Sequence, residues 1–344
     1  MWEERAHRAR CQILDLAAGD CGLSQVYGEA IAVVGRTVGS ELTCWAAIDP
    51  DTLTISAMVS GEVRIPVEYE PLLAEAECSA SEPHTFAELA RRRRSVAQLS
   101  ELTAHERDAS LRAREVWRPL GLDQEARTVF VTDGACWGAA GMVRSGRDFD
   151  ERELEFLRAV APAIASVSRL AALREAALPD GGTAPAIVVL GGYGELRSAT
   201  SAAQAWRGRF DAIAPHRFEL LMRLMWVGSR ESTGHRYRVR VRDGRARWAV
   251  LEASPLVGGA EPEVAVLISG AGADDVGAVL LAAYGLTDRE RDIVREVASG
   301  RSTLEIGHRL FISPYTVQDH LKSIFSKVGV HSRGELVDRL RPAA

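Results

Sequence analysis

Lysine is nearly missing from this chain. Of its 42 basic residues only Lys322 and Lys327 are lysines, and both lie near the C-terminus. An excess of positive charge is missing too. The formal net charge is −5, so any contact with a polyanion has to be local rather than general. The five cysteines (Cys11, Cys21, Cys44, Cys78 and Cys136) form no C-x-x-C and no zinc-like Cys/His spacing. They read as reduced thiols, and neither metal nor cofactor is expected. The opening MWEERAHRARCQ is charged at once and has no apolar stretch of the secretory kind. No run is expected to reach the length of a membrane span, because Gly, Arg or Glu interrupts each apolar patch. A cytoplasmic protein is the expectation. Fixed-period repeats are absent, and Arg91 to Arg94 is the one biased stretch. Glu88, Glu101 and Glu106 stand nearby to offset it, so a solvated face is preferred over a second nucleic-acid contact. The first 270 residues hold no nucleophile–base pair or paired carboxylates, so no enzyme is expected.

What is present is concentrated between Leu286 and Leu340, where four short helices are predicted. Thr287 and Glu290 make a capping box for the first, with Ile293, Val294 and Val297 at helical spacing and Gly300 as the stop. The second begins near Ser302. Ser313-Pro314 is an N-cap followed by a proline at the first helical position. The helix that follows turns Val317, Leu321, Ile324, Phe325 and Val328 to one side. Its other face carries Tyr315, Thr316, Gln318, Asp319 and Lys322. Two helices joined by a Phe311-Ile312 turn make a helix-turn-helix, about residues 303–322. Between Arg309 and Arg333 the formal charge is +3, from Arg309, Lys322, Lys327 and Arg333 against Asp319.

The blocks LTDRERDIV, SPYTVQDH and KVGVHSR, in order and at these spacings, resemble the DNA-binding domain of LuxR/FixJ-family bacterial transcription regulators. The resemblance covers about 55 residues at the C-terminus, within a domain expected over 280–344. It implies double-stranded DNA as partner, hence a nucleoid-associated protein, with Ser313 to Val328 as the recognition helix. It places Gln318, Asp319 and Lys322 toward bases, and Ser313, Tyr315, Thr316, Lys327 and Arg333 toward the backbone. Asp319 either pairs with Lys322 at i, i+3 or accepts from a cytosine amino group. Two positions depart from the family. Leu304 stands where a lysine is common, and Gly307 replaces the usual alanine at about 0.8–1 kcal/mol of helix propensity.

Upstream, 344 residues predict two or three domains. Helices are expected over 2–18 and 23–38. Hairpins are expected at 43–60, around Asp49-Pro50-Asp51, and at 126–143, around Asp133-Gly134. Residues 84–117 read as helix or loop, and a long helix follows over 150–178. The block CWGAAGMVRSGRDFDERELEFLRAVAPAIA and this order of elements resemble a GAF domain over 26–178, after an N-terminal helix at 1–25. A linker is expected at Leu178 to Gly182. Strands at 186–192, 195–200, 237–254 and 263–269 around two helices resemble a PAS domain over 184–270, with a hinge at 271–275. Gly191-Gly192-Tyr193-Gly194 lacks the Lys-Ser/Thr of a phosphate loop and reads as a hairpin turn. The whole is therefore expected to be multidomain: α+β GAF-like and PAS-like sensor domains, then an all-α four-helix helix-turn-helix domain.

Within the GAF-like segment the candidate ligand residues are Trp45, Met58 and Trp137. Cys44-Trp45 and Cys136-Trp137 each send one side chain to either face of a sheet, so one of each pair is a candidate for a ligand cup and the alternative is core filling. His84 and His105 lie in no cluster, and neither is expected to bind haem or metal. Leu157, Val160, Ile164 and Val167 follow a 3-4-3-4 spacing, read as a dimer seam carrying state to the C-terminal domain. Pro162 inside that helix predicts a kink or a lost hydrogen bond. A regulator with a small-molecule signal, a homodimeric state and RNA polymerase as a candidate partner is the expectation. A small-molecule enzyme with an accessory DNA-binding domain and a protein-interaction scaffold stay open as alternatives.

Overall fold

A computed structural model describes residues 2–19, 22–176, 184–213, 215–231, 236–244, 247–258 and 262–340. Helices α1 (Trp2–Asp15) and α2 (Leu23–Gly35) lead into strands β1 (Leu42–Ile48) and β2 (Ile55–Ser60). Asp49 shapes the turn between the strands, its carboxylate accepting the N–H of Asp51 at 2.9 Å and of Thr52 at 3.2 Å. Next come α3 (Glu70–Cys78), α4 (Phe86–Arg91), β3 (Val96–Gln98), α5 (Ala104–Ala109), β4 (Gln124–Thr132) and β5 (Ala135–Arg144). The strands form one antiparallel sheet in the order β2-β1-β5-β4-β3. The hairpin at Asp133-Gly134 stands where the sequence predicts it. Strand β3 does not. Three residues are too few to display an alternating pattern, and only pairing with Ala126–Thr128 makes them a strand.

Alternation along the strands puts Trp45, Phe130 and Met142 under α1, α2 and a long helix α6 (Glu151–Ala176). Ala46, Val129 and Ala139 face the opposite way, toward α4. Tyr27 of α2 reaches the strands, its hydroxyl donating to the carbonyls of Ala46 and Trp137 at 3.4 Å each. Gly138 is the residue that admits it. A Cβ there would lie 2.1 Å from the Tyr27 hydroxyl and 2.9 Å from the Ala46 carbonyl. Gly138→Ala is expected to cost about 1–3 kcal/mol, measured as a lower urea midpoint with an unchanged slope. An unchanged midpoint would show that Tyr27 yields freely.

Helix α6 corrects two expectations. Leu157, Val160, Ile164 and Val167 are all at most 2% exposed and sit in the core shared with α1, α2 and the sheet. They are therefore not a seam for a second copy. A 3-4-3-4 spacing is equally the signature of a core-facing stripe, and here α1 covers it. By length and composition Glu151–Glu175 is also apolar enough to cross a membrane, contrary to the expectation that no run is, but 61% of that window is buried inside the protein. Pro162 lies on the exposed side, so its missing N–H falls where water reaches.

The second sheet contains β6 (Ala186–Leu190), β7 (Leu196–Ala199), β8 (Tyr237–Arg242), β9 (Trp248–Leu256) and β10 (Glu263–Gly270), with α7 (Ala202–Asp211) and α8 (Arg217–Glu231) between β7 and β8. Its order, β7-β6-β10-β9-β8, repeats the permutation of the first. Gly191 to Gly194 is the hairpin turn joining β6 and β7. Trp206 stacks on Phe210 over a core of Met225, Val239, Leu251 and Val266. The expected linker at Leu178 to Gly182 lies outside the described residues.

Buried ion pairs fasten the two sheets to each other. Arg240 of β8 donates to both oxygens of Asp49, Nε at 2.5 Å and Nη2 at 2.8 Å. Arg242 pairs with Glu175 at the end of α6. The expected hinge at 271–275 proves to be the start of a helix, α9 (Ala273–Ala283), with the Asp275 carboxylate accepting the Gly272 N–H at 3.1 Å. Val279, Ala282 and Ala283 pack among Ala172, Trp137 and Trp248. Polar Gly-Ala-Asp-Asp reads as a loop, yet it is an N-cap for an apolar helix that neighbouring elements bury. Helices α10 (Asp288–Ala298), α11 (Thr303–Leu310), α12 (Pro314–Val328) and α13 (Arg333–Leu340) complete the described residues.

Candidate DNA interface and ligand cavity

The C-terminal unit is assembled from its caps. Thr287 and Glu290 close a capping box on α10, and Ser302 and Glu305 close another on α11. Phe311 adopts a left-handed conformation at φ 55°, which turns the chain sharply into Ser313. Ser313 Oγ accepts the Thr316 N–H at 3.0 Å, and Pro314 occupies the first turn. Gly307 has a reason that helix propensity does not reveal. A Cβ there would lie 2.8 Å from the Ile312 carbonyl, so an alanine would push the turn open.

Val317, Leu321, Ile324 and Val328 of α12 bury against Ile293, Val294, Ile306 and Leu336. That fixes which face of α12 is left over. Tyr315, Thr316, Gln318, Asp319 and Lys322 are all exposed, Tyr315 at 80%. They remain so while α9 holds the unit against the rest of the chain. Lys322 Nζ lies 3.3 Å from Asp319 Oδ1, the i, i+3 pair expected as one alternative. Exposed pairs of this kind contribute about 0–1 kcal/mol, so opening it costs little.

Lys327 and Arg333 are placed differently from the rest. Lys327 Nζ donates to Glu290 at 2.7 Å and to the Gly285 carbonyl at 3.2 Å. Arg333 donates to the Arg301 carbonyl at 2.8 Å and to Thr303 Oγ1 at 2.6 Å. Both hold helices of the unit together. Burial raises the pKa of Glu290, but donation from Lys327, Ser323 and Thr287 outweighs it and holds the carboxyl down at about 2.

A cavity of about 850 Å³ opens on the face of the first sheet away from α6. β1, β2, α3 and α4 make one wall, and Ile213, Arg217, Leu221, Leu224 and Tyr237 of the second unit line the other. Of the three candidate ligand residues only Met58 lines it. Trp45 is 1% exposed in the core beneath α6, and Trp137 is 3% exposed beside α9. The alternation was legible and the face was not: it is Cys44, not Trp45, that meets the cavity. Burial pushes the thiols of Cys44 and Cys136 up to about 12, the opposite of what a reactive thiolate needs. His84 Nε2 faces Arg94 at 3.4 Å, and the run Arg91 to Arg94 is partly paired, Arg92 with Glu88 and Arg94 with Glu101. The residue that sequence reading missed is Arg217, buried in the cavity wall; no local motif marks it.

Comparison with known proteins bears mainly on the C-terminal unit. Residues 285–340 match the luxR family of bacterial regulatory proteins. An HTH-type transcriptional regulator of Mycobacterium tuberculosis is 53% identical over 53 residues, 15% of this chain and 6% of that protein. A nitrate/nitrite response regulator homologue of Haemophilus influenzae is 46% identical over 48 residues, 14% of this chain and 23% of that protein. The chain thus spans a small part of the length of the relatives it matches. Among solved structures, the phycoerythrobilin-bound GAF domain of a cyanobacterial phytochrome aligns over 51% of this chain and 97% of its own, at 15% identity and a TM-score of 0.34. SdiA of Escherichia coli aligns over 96% and 94%, at 13% identity and a TM-score of 0.30.

Proposed function

We propose that this chain, whose residues 285–340 are a luxR-family domain, is a DNA-binding transcription regulator of the cytoplasm whose upstream half senses a small molecule. The observation that carries the reading is the open polar face of α12 opposite its buried stripe. In the major groove, Gln318, Asp319 and Lys322 read base edges, while Tyr315, Thr316 and the capped N-terminus of α12 meet phosphates. Lys327 and Arg333 keep the unit in shape rather than touching DNA. Paired domains would read half-sites about one DNA turn (~34 Å) or a multiple apart.

Residues 26–178 and 184–270 are read as GAF-like and PAS-like sensors, supported by the shared strand order. The signal enters at the cavity between them. Because α12 is already uncovered, we take the signal to act on how two such domains are placed rather than on masking either one. This is a binding protein in our reading, not an enzyme.

Lys322→Ala in the full chain is expected to weaken binding to a footprinted operator by about 1–3 kcal/mol and to relax the preference at one base position. Fluorescence anisotropy across a salt series measures it. Undiminished affinity at every salt concentration would take Lys322 off the contact surface.

A further inference from the structure

Five arginines are buried among the described residues: Arg112, Arg127, Arg217, Arg240 and Arg242. Four of them have a carboxylate at ion-pair distance: Arg112 has Glu82 and Glu125, Arg127 has Glu77 and Glu125, Arg240 has Asp49, and Arg242 has Glu175. Among the described residues Arg217 has none. It is the first residue of α8 and 6% exposed. One nitrogen donates to the Ser56 carbonyl of β2 at 3.2 Å, and its Nε has no partner. Burial pulls its pKa down to about 10, although Glu70 acts the other way. A guanidinium without an ion-pair partner is strongly disfavoured in a protein interior. A fold that neutralises four buried arginines and leaves the fifth in the wall of a cavity has kept a place for an anion.

We infer that the cavity binds a small organic anion, its carboxylate or phosphate pairing with Arg217 and its apolar body lying along Met58, Leu73, Phe86, Leu221 and Leu224. The inference rests on reading this cavity as the sensory pocket. Its size falls within the ~300–1,000 Å³ of small-molecule sites. The other charges of the lining offer less. Arg127 is occupied by Glu77 and Glu125, and Arg92 pairs with Glu88. Arg64, Arg91 and Glu231 are exposed to water, and half-buried Glu70 makes no ion pair with Arg217. A guanidinium matches an oxyanion by charge and by its planar fork of donors. Since Arg217 belongs to the second unit and Met58 and Phe86 to the first, an occupant of this kind bridges the two.

The test uses the full chain with three probes of equal tail length, decanoate, decyl phosphate and decanol, by titration calorimetry and thermal shift. One or both anions are expected to bind about ten- to a hundredfold tighter than decanol, the worth of a charge-assisted bond. The tighter of the two tells carboxylate from phosphate. In Arg217→Met the preference is expected to vanish while decanol affinity stays. The ligand-free variant is expected to melt no lower than the wild type, since it has lost an uncompensated charge. Decanol matching the anions, or an anion preference that survives in Arg217→Met, would leave the pocket standing and remove the anion. If none of the three binds, the sensory pocket falls with it.

Discussion

Arg112→Met is expected to destabilise the first unit by about 3–5 kcal/mol, the usual cost of breaking a buried charge cluster from one side. Arg112 is 1% exposed, with Nη1 at 2.5 Å from Glu82 and Nε at 2.8 Å from Glu125. Glu82 also accepts from Ser110 Oγ at 2.6 Å and from the Leu111 N–H at 2.7 Å, so it cannot swing out to water without undoing that turn. Methionine fills the space and leaves two carboxylates facing each other. Burial raises the pKa of Glu125, but Arg112 and Arg127 outweigh it and hold it below the usual carboxylate range. In the wild type that contribution is therefore present at neutral pH and lost as pH falls through the folded value. In the variant it shrinks, and Glu125→Gln added to Arg112→Met is expected to recover part of the loss. Urea unfolding with and without the second change measures both. A single-variant cost under about 1 kcal/mol would mean that water reaches the cluster.

Lys327→Met is expected to cost the C-terminal unit roughly 1.5–3 kcal/mol, the value of a charge-assisted hydrogen bond to a buried acid. It is expected to leave the salt dependence of DNA binding where it was. A lysine on a phosphate gives the reverse: little change in stability and a salt slope reduced by about 1. The pH dependence separates the two again. With Glu290 held at about 2, below its ordinary 4.5, its contribution is complete above about pH 4.5 and fades as pH falls toward 2. Removing Lys327 raises that carboxyl and flattens the acid limb. Circular dichroism across pH reads the first effect, and anisotropy at a temperature where the variant is folded reads the second. A reduced slope with undisturbed stability would return Lys327 to the DNA surface.

The sequence made plain what depends on neighbours along the chain. Thr287 with Glu290, Ser313 before Pro314, and the Asp133-Gly134 hairpin are local devices, and each stands where its residues put it. What stayed illegible depends on partners far away. A stripe of Leu157, Val160, Ile164 and Val167 does not say whether its cover is another molecule or α1 of the same one. Basic residues on a helix suggest phosphate, but Lys327 has Glu290, 37 residues earlier, to hold. Period-two alternation separates Cys44 from Trp45 and cannot say which side is hollow. Arg217 is one arginine in an arginine-rich chain until the fold buries it with no acid beside it.

Helix α9 rests between an indole of the first sheet, Trp137, and one of the second, Trp248. Neither indole N–H has a hydrogen-bond partner, but Asp275 at the start of α9 pairs with Arg238 of β8 and its carbonyl accepts from Arg240 Nη1 at 2.9 Å, so shape and charge together hold this joint. A rotation of one sheet against the other cannot be absorbed by slack in a tether, because the tether is itself wedged in the corner where they meet. The C-terminal unit is carried on that wedge like a pointer on an axle.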